Sequence, residues 1–517
     1  MVQRVAVIGA GVGGLASVKC CLDEGLEPTC FERSEDIGGL WRYTESRDGG
    51  RVSVYRSVIT NTSKEMSCFS DFPCPEDFPN FLPHSLLLEY FQMYAQHFDL
   101  LRHIRFKVTL SVRKRPDFAT SGQWEVVTET SGIQESHIFD AVMVCTGHYQ
   151  EPYLPLASFP GIDTRFKGQY LHSREYKDVE AFRGKRVLVV GIGNTGGDLS
   201  VELSRVAAKV FLSARSSTWV FSRVSDHGFP LDMVRTTRFN HFLDWLLPSA
   251  LMKRIKFWKC HKGHFRSLPH LPFCLLSGTV VLKPNVKEFT ESSAVFGTTE
   301  ENIDVVLFAT GYIFSFPFLE DSVRSLFDDN RSLYKCIFPP QLEKPTLAII
   351  GLVQLTGSVM VGAEMQARWV TGIFAGWNKL PPTTRMIADV LKKKENLKMS
   401  FISYTDEIAS CAGVKPSMLR LLLTDPQLAL AVFFGPCTPY QYRLMGRGKW
   451  SGAREAILTQ WQRTLKPLRT RVMDDSSDGS DGWHWTWLLA LPVALTAGFL
   501  LSKYSQLGWT PQAGLQV

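Results

Sequence analysis

The sequence has no C-x-x-C pair and no zinc-like spacing of its cysteines. Its eleven cysteines are scattered from Cys20 to Cys437, which argues against a disulfide framework or a bound metal and reads as reduced thiols facing the cytosol. Charge clustering is missing too. The 57 Lys and Arg are interleaved with 50 Asp and Glu along the whole chain, so the net +7 makes no nucleic-acid footprint, though a mildly basic surface suits anionic cofactors or a membrane. No Ser/His/Asp set or paired carboxylates stand out, which leaves hydrolytic acid–base chemistry without support. The N-terminal apolar run from Val5 to Ala10 meets glycines rather than a small-residue cleavage site, so it is not a signal peptide. What is present is ample apolar sequence: 45% hydrophobic residues over 517 positions supply the cores of two or three domains.

One long uncharged run exists. From Trp483 to Leu501 the chain reads WHWTWLLALPVALTAGFLL, without Asp, Glu, Lys or Arg. As a helix it extends about 28 Å, close to a bilayer's hydrocarbon core. Three tryptophans gather at one end, as at a membrane interface, and Pro492 permits a kink. The alternative, a buried core helix, is opposed by the polar run of residues 474–482 just before it.

Two segments repeat the order strand, glycine turn, helix. The first runs through Val5 to Ile8 into Gly9, Ala10, Gly11, Val12, Gly13 and Gly14, then a helical stretch from Leu15. Gly9 serves the tight turn, Gly11 the approach of backbone to a pyrophosphate, and Gly14 close helix packing; the phosphates meet the helix N-terminus. A second strand, Pro28 to Phe31, ends at Glu32, at the spacing where a carboxylate accepts hydrogen bonds from ribose hydroxyls. A glycine turn with a large aromatic follows, Gly39-Leu40-Trp41, placed to close over the nucleotide.

The second segment runs from Arg186 to Val190 into Gly191, Ile192, Gly193, Asn194, Thr195, Gly196, Gly197 and Asp198. Its partner strand, Val210 to Ser213, ends not in a carboxylate but in Ala214-Arg215-Ser216. A carboxylate there repels a 2'-phosphate, whereas Arg215 offers it a charge-assisted fork. The first site therefore suits FAD and the second NADPH, and a hydride donor beside a flavin implies redox catalysis. Two more strands, Ala141 to Cys145 and Val305 to Phe308, end in Thr146-Gly147 and Thr310-Gly311, which read equally well as ligand-approaching or ordinary turns.

The expected fold is α/β, with two dinucleotide-binding (Rossmann-like) domains, the second inserted in the first, and a C-terminal transmembrane helix. The expected limits are an FAD domain over 1–165 and 304–445, an NADPH domain over 166–303, a tether over 446–482 and an anchor over 483–501. On this reading Val305 to Phe308 is the first unit's return strand. The proline-rich stretch from Pro152 to Gly161 is the crossing between domains.

That crossing leads into Phe166-Lys167-Gly168-Gln169-Tyr170-Leu171-His172-Ser173-Arg174-Glu175-Tyr176, which has the form F-x-G-x-x-x-H-x-x-x-Y. Placed just before the second glycine turn, it resembles the identifying motif of flavin-containing monooxygenases; Tyr176 favours them over the related Baeyer-Villiger enzymes. Thr60-Asn61-Thr62-Ser63-Lys64-Glu65-Met66, Phe308-Ala309-Thr310-Gly311-Tyr312 and Phe434-Gly435-Pro436-Cys437 are similar to the mammalian-type, membrane-bound dimethylaniline members. The resemblance implies FAD and NADPH as cofactors, Thr60, Asn61 and Thr62 beside the flavin, and Asn61 as the catalytic side chain. It implies a C4a-hydroperoxyflavin that oxygenates soft nucleophiles, amine nitrogen and sulfide sulfur of xenobiotics, using dioxygen at the endoplasmic reticulum membrane. An amide offers both donor and acceptor to a peroxide that is held rather than attacked. The run from Gly191 to Asp198 is also similar to that of a ketone-oxidising member, which leaves Baeyer-Villiger oxygenation of ketones as one alternative; the chain is shorter than the family pattern between Lys259 and Gly278 and near Lys394 to Ser400, which leaves an uncoupled NADPH oxidase or a non-oxygenating cofactor-binding homologue as another. Neither the preferred substrate nor the oligomeric state is legible.

Overall fold

The computed structural model describes residues 2–45, 52–216, 218–225, 228–246, 264–267, 270–326, 332–393 and 400–469. The expected anchor at 483–501, Ser217, residues 394–399 and part of the stretch between Lys259 and Gly278 lie outside them. No helix among the described residues is long and apolar enough to cross a membrane.

The strand β1 (Arg4–Ile8) is β-branched and buried along nearly its whole length, the pattern of a parallel strand covered on both faces. It pairs in parallel with β2 (Glu27–Phe31) on one side, and β2 in turn with β3 (Ile104–Arg105). On its other side stand β4 (Ala141–Val144) and, at the edge, a strand Leu347–Ile349. Helix α1 (Val12–Asp23) leaves the first glycine turn and packs against the long helix Val359–Phe374, most of which is buried.

The second sheet has the same construction. Here β5 (Gln169–His172), β6 (Arg186–Val190), β7 (Lys209–Ser213), β8 (Val280–Lys283) and β9 (Val305–Phe308) are all parallel, in the order β8-β7-β6-β9-β5. The expected role of Val305–Phe308 is thereby corrected: it pairs with Val187–Val190 in the second sheet, and Leu347–Ile349, β10, completes the first. Both are short apolar strands that composition does not distinguish. The choice is made by the turn they must meet: the Ala309 carbonyl lies 2.6 Å from where a Cβ on Gly191 would stand.

The expected tether is also corrected in part. Ala453–Leu465 is a helix with Ala453, Ala456 and Ile457 in its buried face. Its polar residues are buried because they are paired: Thr438 Oγ1 donates to Gln460 at 3.0 Å, and Arg463 binds Glu65 through Nε at 3.0 Å and Nη2 at 2.7 Å.

Glu65 is wholly buried, so removing its cation strands a carboxylate away from water. Arg463→Ala is expected to cost about 3 kcal/mol, read as a lower thermal midpoint, and Arg463→Met with Glu65→Gln is expected to recover part of that loss. Equal loss in the single and the double variant contradicts the assignment.

Candidate active site

The first glycine turn is compact because its glycines are in contact with other backbone. Gly9 adopts φ +98°, and a Cβ on it would stand 3.0 Å from the Cys145 carbonyl oxygen at the end of β4. A Cβ on Gly14 would stand 1.9 Å from the Gly9 carbonyl, so only glycine lets α1 start this close to β1. Gly11, Val12 and Gly13 carry the chain into that helix.

Glu32 follows β2 directly and is fixed over the same turn. Its Oε2 accepts the Ala10 N–H at 2.7 Å and its Oε1 the Ser34 N–H at 2.8 Å. Each oxygen keeps a free lone pair for a ribose hydroxyl. Gly39, Leu40 and Trp41 form one turn of 3-10 helix beside it: the Gly38 N–H donates to the Ala10 carbonyl at 3.1 Å, and a Cβ on Gly39 would stand 3.1 Å from the Gly11 Cα. The Thr146 hydroxyl, next to Gly9, is buried with no protein partner, which fits a polar ligand group reaching this cradle.

The second turn repeats these contacts. Gly191 has φ +108°, and a Cβ on Gly196 would stand 1.9 Å from the Gly191 carbonyl, whereas a Cβ on Gly193 would meet nothing within 4 Å. Helix α2 of the nucleotide units (Asn194–Leu203) begins here and carries Asn194, Thr195, Gly196, Gly197 and Asp198. The Asn194 Oδ1 is buried with no partner, again fitting a bound nucleotide. Arg215 lies just beyond β7, exposed and without a protein partner among the described residues. The two Thr-Gly strand ends resolve as equivalent parts, one beside Gly9 and one beside Gly191.

His172 explains its motif locally. Its Nε2–H donates to the Gly311 carbonyl at 2.9 Å while its Nδ1 accepts the Arg174 N–H at 3.1 Å, so the neutral ring ties the end of β5 to the turn after β9. Burial pushes it down to about 4, which suits a structural ring rather than an acid or base at neutral pH.

Asn61 lies where the two units meet. The Arg223 Nη2 donates to Asn61 Oδ1 at 2.7 Å and stands 3.5 Å from Asp198 Oδ2, which also accepts from the Tyr55 hydroxyl at 3.3 Å. Burial raises the Asp198 carboxyl, with Arg223 opposing. One lone pair of the Asn61 Oδ1 is thus taken by Arg223, which fixes the way the amide is turned, and its N–H groups, with no acceptor among the described residues, can act as donors. Arg223 Nε is itself buried without an acceptor among the described residues, which fits a polar ligand group reaching it.

The residues around Asn61 are immobilised in turn. The Thr60 Oγ1 accepts the Leu82 N–H at 2.8 Å, and Thr62 Oγ1 hydrogen-bonds Ser67 Oγ. Lys64, fully buried, donates to the carbonyls of Pro75 at 3.0 Å, Glu76 at 2.6 Å and Phe78 at 2.7 Å. Arg223, which lies 162 positions from Asn61, gave no signal in the sequence. No group of His, Cys, Asp and Glu among the described residues could hold a metal ion.

These features meet known proteins over nearly the whole chain. A family model described as flavin-binding monooxygenase-like matches residues 2–503. The chain belongs to that family. It is 54% identical to the human protein named dimethylaniline monooxygenase [N-oxide-forming] 4, over 98% of this chain and 96% of the relative. It is also 54% identical to human flavin-containing monooxygenase 2, over 99% and 100%. Among solved structures it resembles garlic (Allium sativum) S-allyl-L-cysteine S-oxygenase, with a TM-score of 0.64 at 24% identity over 90% of this chain and 99% of that one. An open form of cyclohexanone monooxygenase gives 0.56 at 16% identity over 80% and 98%. These two likenesses speak to the fold. The match to the first human relative spans 535 positions, more than the 517 residues here, so that relative carries residues with no counterpart in this chain.

The flavin-binding family membership and the two cradles together make the chain a flavin monooxygenase. Gly14→Ala is expected to abolish the yellow flavin absorbance, whereas Gly196→Ala is expected to keep it and lose saturable reduction by NADPH. Loss of flavin from the second variant alone contradicts the assignment of the two turns.

Proposed function

We propose that this chain is an NADPH-dependent flavin monooxygenase that transfers one atom of dioxygen to soft nucleophiles, amine nitrogen or sulfide sulfur in small xenobiotic molecules. The observation that carries the reading is the pairing of opposite charges: Glu32 stands over the first cradle, Arg215 beyond the second, and Asn61 lies at the junction with no acceptor for its N–H groups among the described residues. When bound, the nicotinamide supplies hydride and the flavin supplies the reaction with oxygen.

The protein's own part is to bind, orient and exclude water. Glu32 receives the ribose of FAD, and Thr60, Asn61 and Thr62 form the loop beside the flavin. Gly193 and the N-terminus of Asn194–Leu203 receive the NADPH pyrophosphate, and Arg215 its 2'-phosphate. Asn61, with its oxygen turned to Arg223, donates from its amide toward the reacting oxygen. The similarity to N-oxide-forming dimethylaniline monooxygenases supports the substrate class. The uncharged run at 483–501 supports attachment to the endoplasmic reticulum membrane.

A second reading, an uncoupled oxidase, draws on the residues that the human relative has and this chain lacks. Supplying NADPH with a dialkyl sulfide decides between them: S-oxide formed in step with NADPH consumption is expected, whereas hydrogen peroxide as the sole product favours the oxidase. An ester formed from a ketone, with no S-oxide from the sulfide, moves the chain to Baeyer-Villiger chemistry.

Arg215→Ala is expected to raise the KM for NADPH about 10- to 100-fold, the worth of one charge-assisted fork, and to leave the KM for NADH nearly unchanged. Equal effects on both dismiss the phosphate role. Ending the chain after Asp481 is expected to release it from membranes, and continued sedimentation with them contradicts the anchor.

A further inference from the structure

Arg223 is not the only group of the second unit that reaches the Asn61 loop. Asp232 lies on the short helix Leu231–Arg235, and its Oδ2 accepts both the Ser63 N–H at 2.7 Å and the Ser63 hydroxyl at 3.1 Å. Its Oδ1 accepts the Met233 N–H at 2.9 Å. No lysine or arginine pairs with it among the described residues. The charged groups on the elements packed around it are engaged elsewhere: Lys64 with three carbonyls, and Glu65 with Arg463. Arg235, on its own helix, is exposed.

Two features make this more than a routine contact. Ser63 occupies the N-cap position of the helix Lys64–Ser67, yet its hydroxyl makes no capping bond; it turns outward to Asp232 instead. And a carboxylate held by three donors with no cation is a costly choice for mere adhesion, since a neutral acceptor serves that purpose without desolvating a charge. The clamped residue is two positions from Asn61, and Ser63 is completely buried.

We propose that Asp232 is a positioning residue: by fixing Ser63 to the unit that brings the reductant, it sets the backbone of Asn61 so that its amide stays in line with the reacting oxygen. This rests on the assignment of Asn61 as the catalytic side chain. Arg223 and Asp232 then act as a pair, one orienting the Asn61 amide and the other its backbone. Both come from the segment that follows the second nucleotide cradle, so the site is complete only with the two units in register.

The desolvating surroundings push the Asp232 carboxyl up to about 6, so the charge that strengthens both Ser63 bonds is present above that pH and lost as pH falls through it.

The test uses the full-length, flavin-loaded chain with NADPH and a dialkyl sulfide, and measures hydrogen peroxide released per NADPH oxidised. Flavin content and thermal midpoint report on folding. Asp232→Asn and Ser63→Ala are each expected to raise the peroxide fraction about tenfold, with the KM for NADPH and the rate of flavin reduction within about twofold of the parent. The double variant is expected to be no worse than the more severe single one, because both weaken the same link: Ser63→Ala deletes the hydroxyl bond and leaves the Ser63 N–H bond, and Asp232→Asn removes the charge that strengthens both. In the parent chain the peroxide fraction is expected to climb as pH falls through about 6, and in Asp232→Asn to lose that dependence. If Asp232→Asn fails to keep its flavin, Ser63→Ala, which deletes one hydroxyl, decides. Parent-like peroxide release from these variants, while Asn61→Ala leaks strongly, overturns the role of Asp232 and spares that of Asn61; parent-like release from Asn61→Ala overturns the assignment of Asn61 itself.

Discussion

The constraint on which the site depends is that the short segment after Asn61 has no freedom of its own. Glu65 is fixed by Arg463 and by the Tyr440 hydroxyl at 2.9 Å, Lys64 by a ring of backbone carbonyls, and Ser63 by Asp232. Asp232, Tyr440 and Arg463 come from regions far apart in the chain, so the turn is defined only when these regions have assembled around it. A buried ion pair such as Glu65 with Arg463 adds little net stability over an apolar pair. What it adds is one permitted arrangement, and a group that must orient a reactive oxygen needs that.

The nucleotide cradles depend on a different constraint, the absence of side chains. In each, a glycine at the helix start lies against the carbonyl of the glycine that opens the turn, with no room for a Cβ. In each, the neighbouring strand ends in Thr-Gly beside that first glycine. One solution was used twice, and the charge beyond the second strand differs in sign: Glu32, held by two backbone N–H groups, against Arg215, which is exposed. The proposed assignment of the two cofactors therefore rests on electrostatics rather than shape.

The legible part of this molecule was the part written in consecutive residues. Both cradles, Glu32 and Arg215 follow from local spacing, because strand, turn and helix are neighbours in sequence as they are in space. The placement of Val305–Phe308 did not follow, since a short apolar strand fits either sheet and its partner is chosen by contacts more than a hundred residues away. Ala453–Leu465 read as tether because Arg454, Gln460 and Arg463 look solvated; burial of the last two is visible only once Thr438 and Glu65 are found against them. Arg223 and Asp232 carried no motif at all. Asn61 itself was reached through family resemblance, and the structure supplies what the resemblance did not, the direction in which its amide is turned.

The proposed reaction requires hydride to pass directly from the nucleotide of the second cradle to the flavin of the first. Mixing the flavin-loaded chain with NADPH in the absence of oxygen tests this most simply. Prompt bleaching of the yellow absorbance, stoichiometric with NADPH consumed, is the predicted result. A chain that retains flavin but keeps its colour under NADPH contradicts direct transfer between the two cradles, and one that never binds flavin contradicts the assignment of the first cradle.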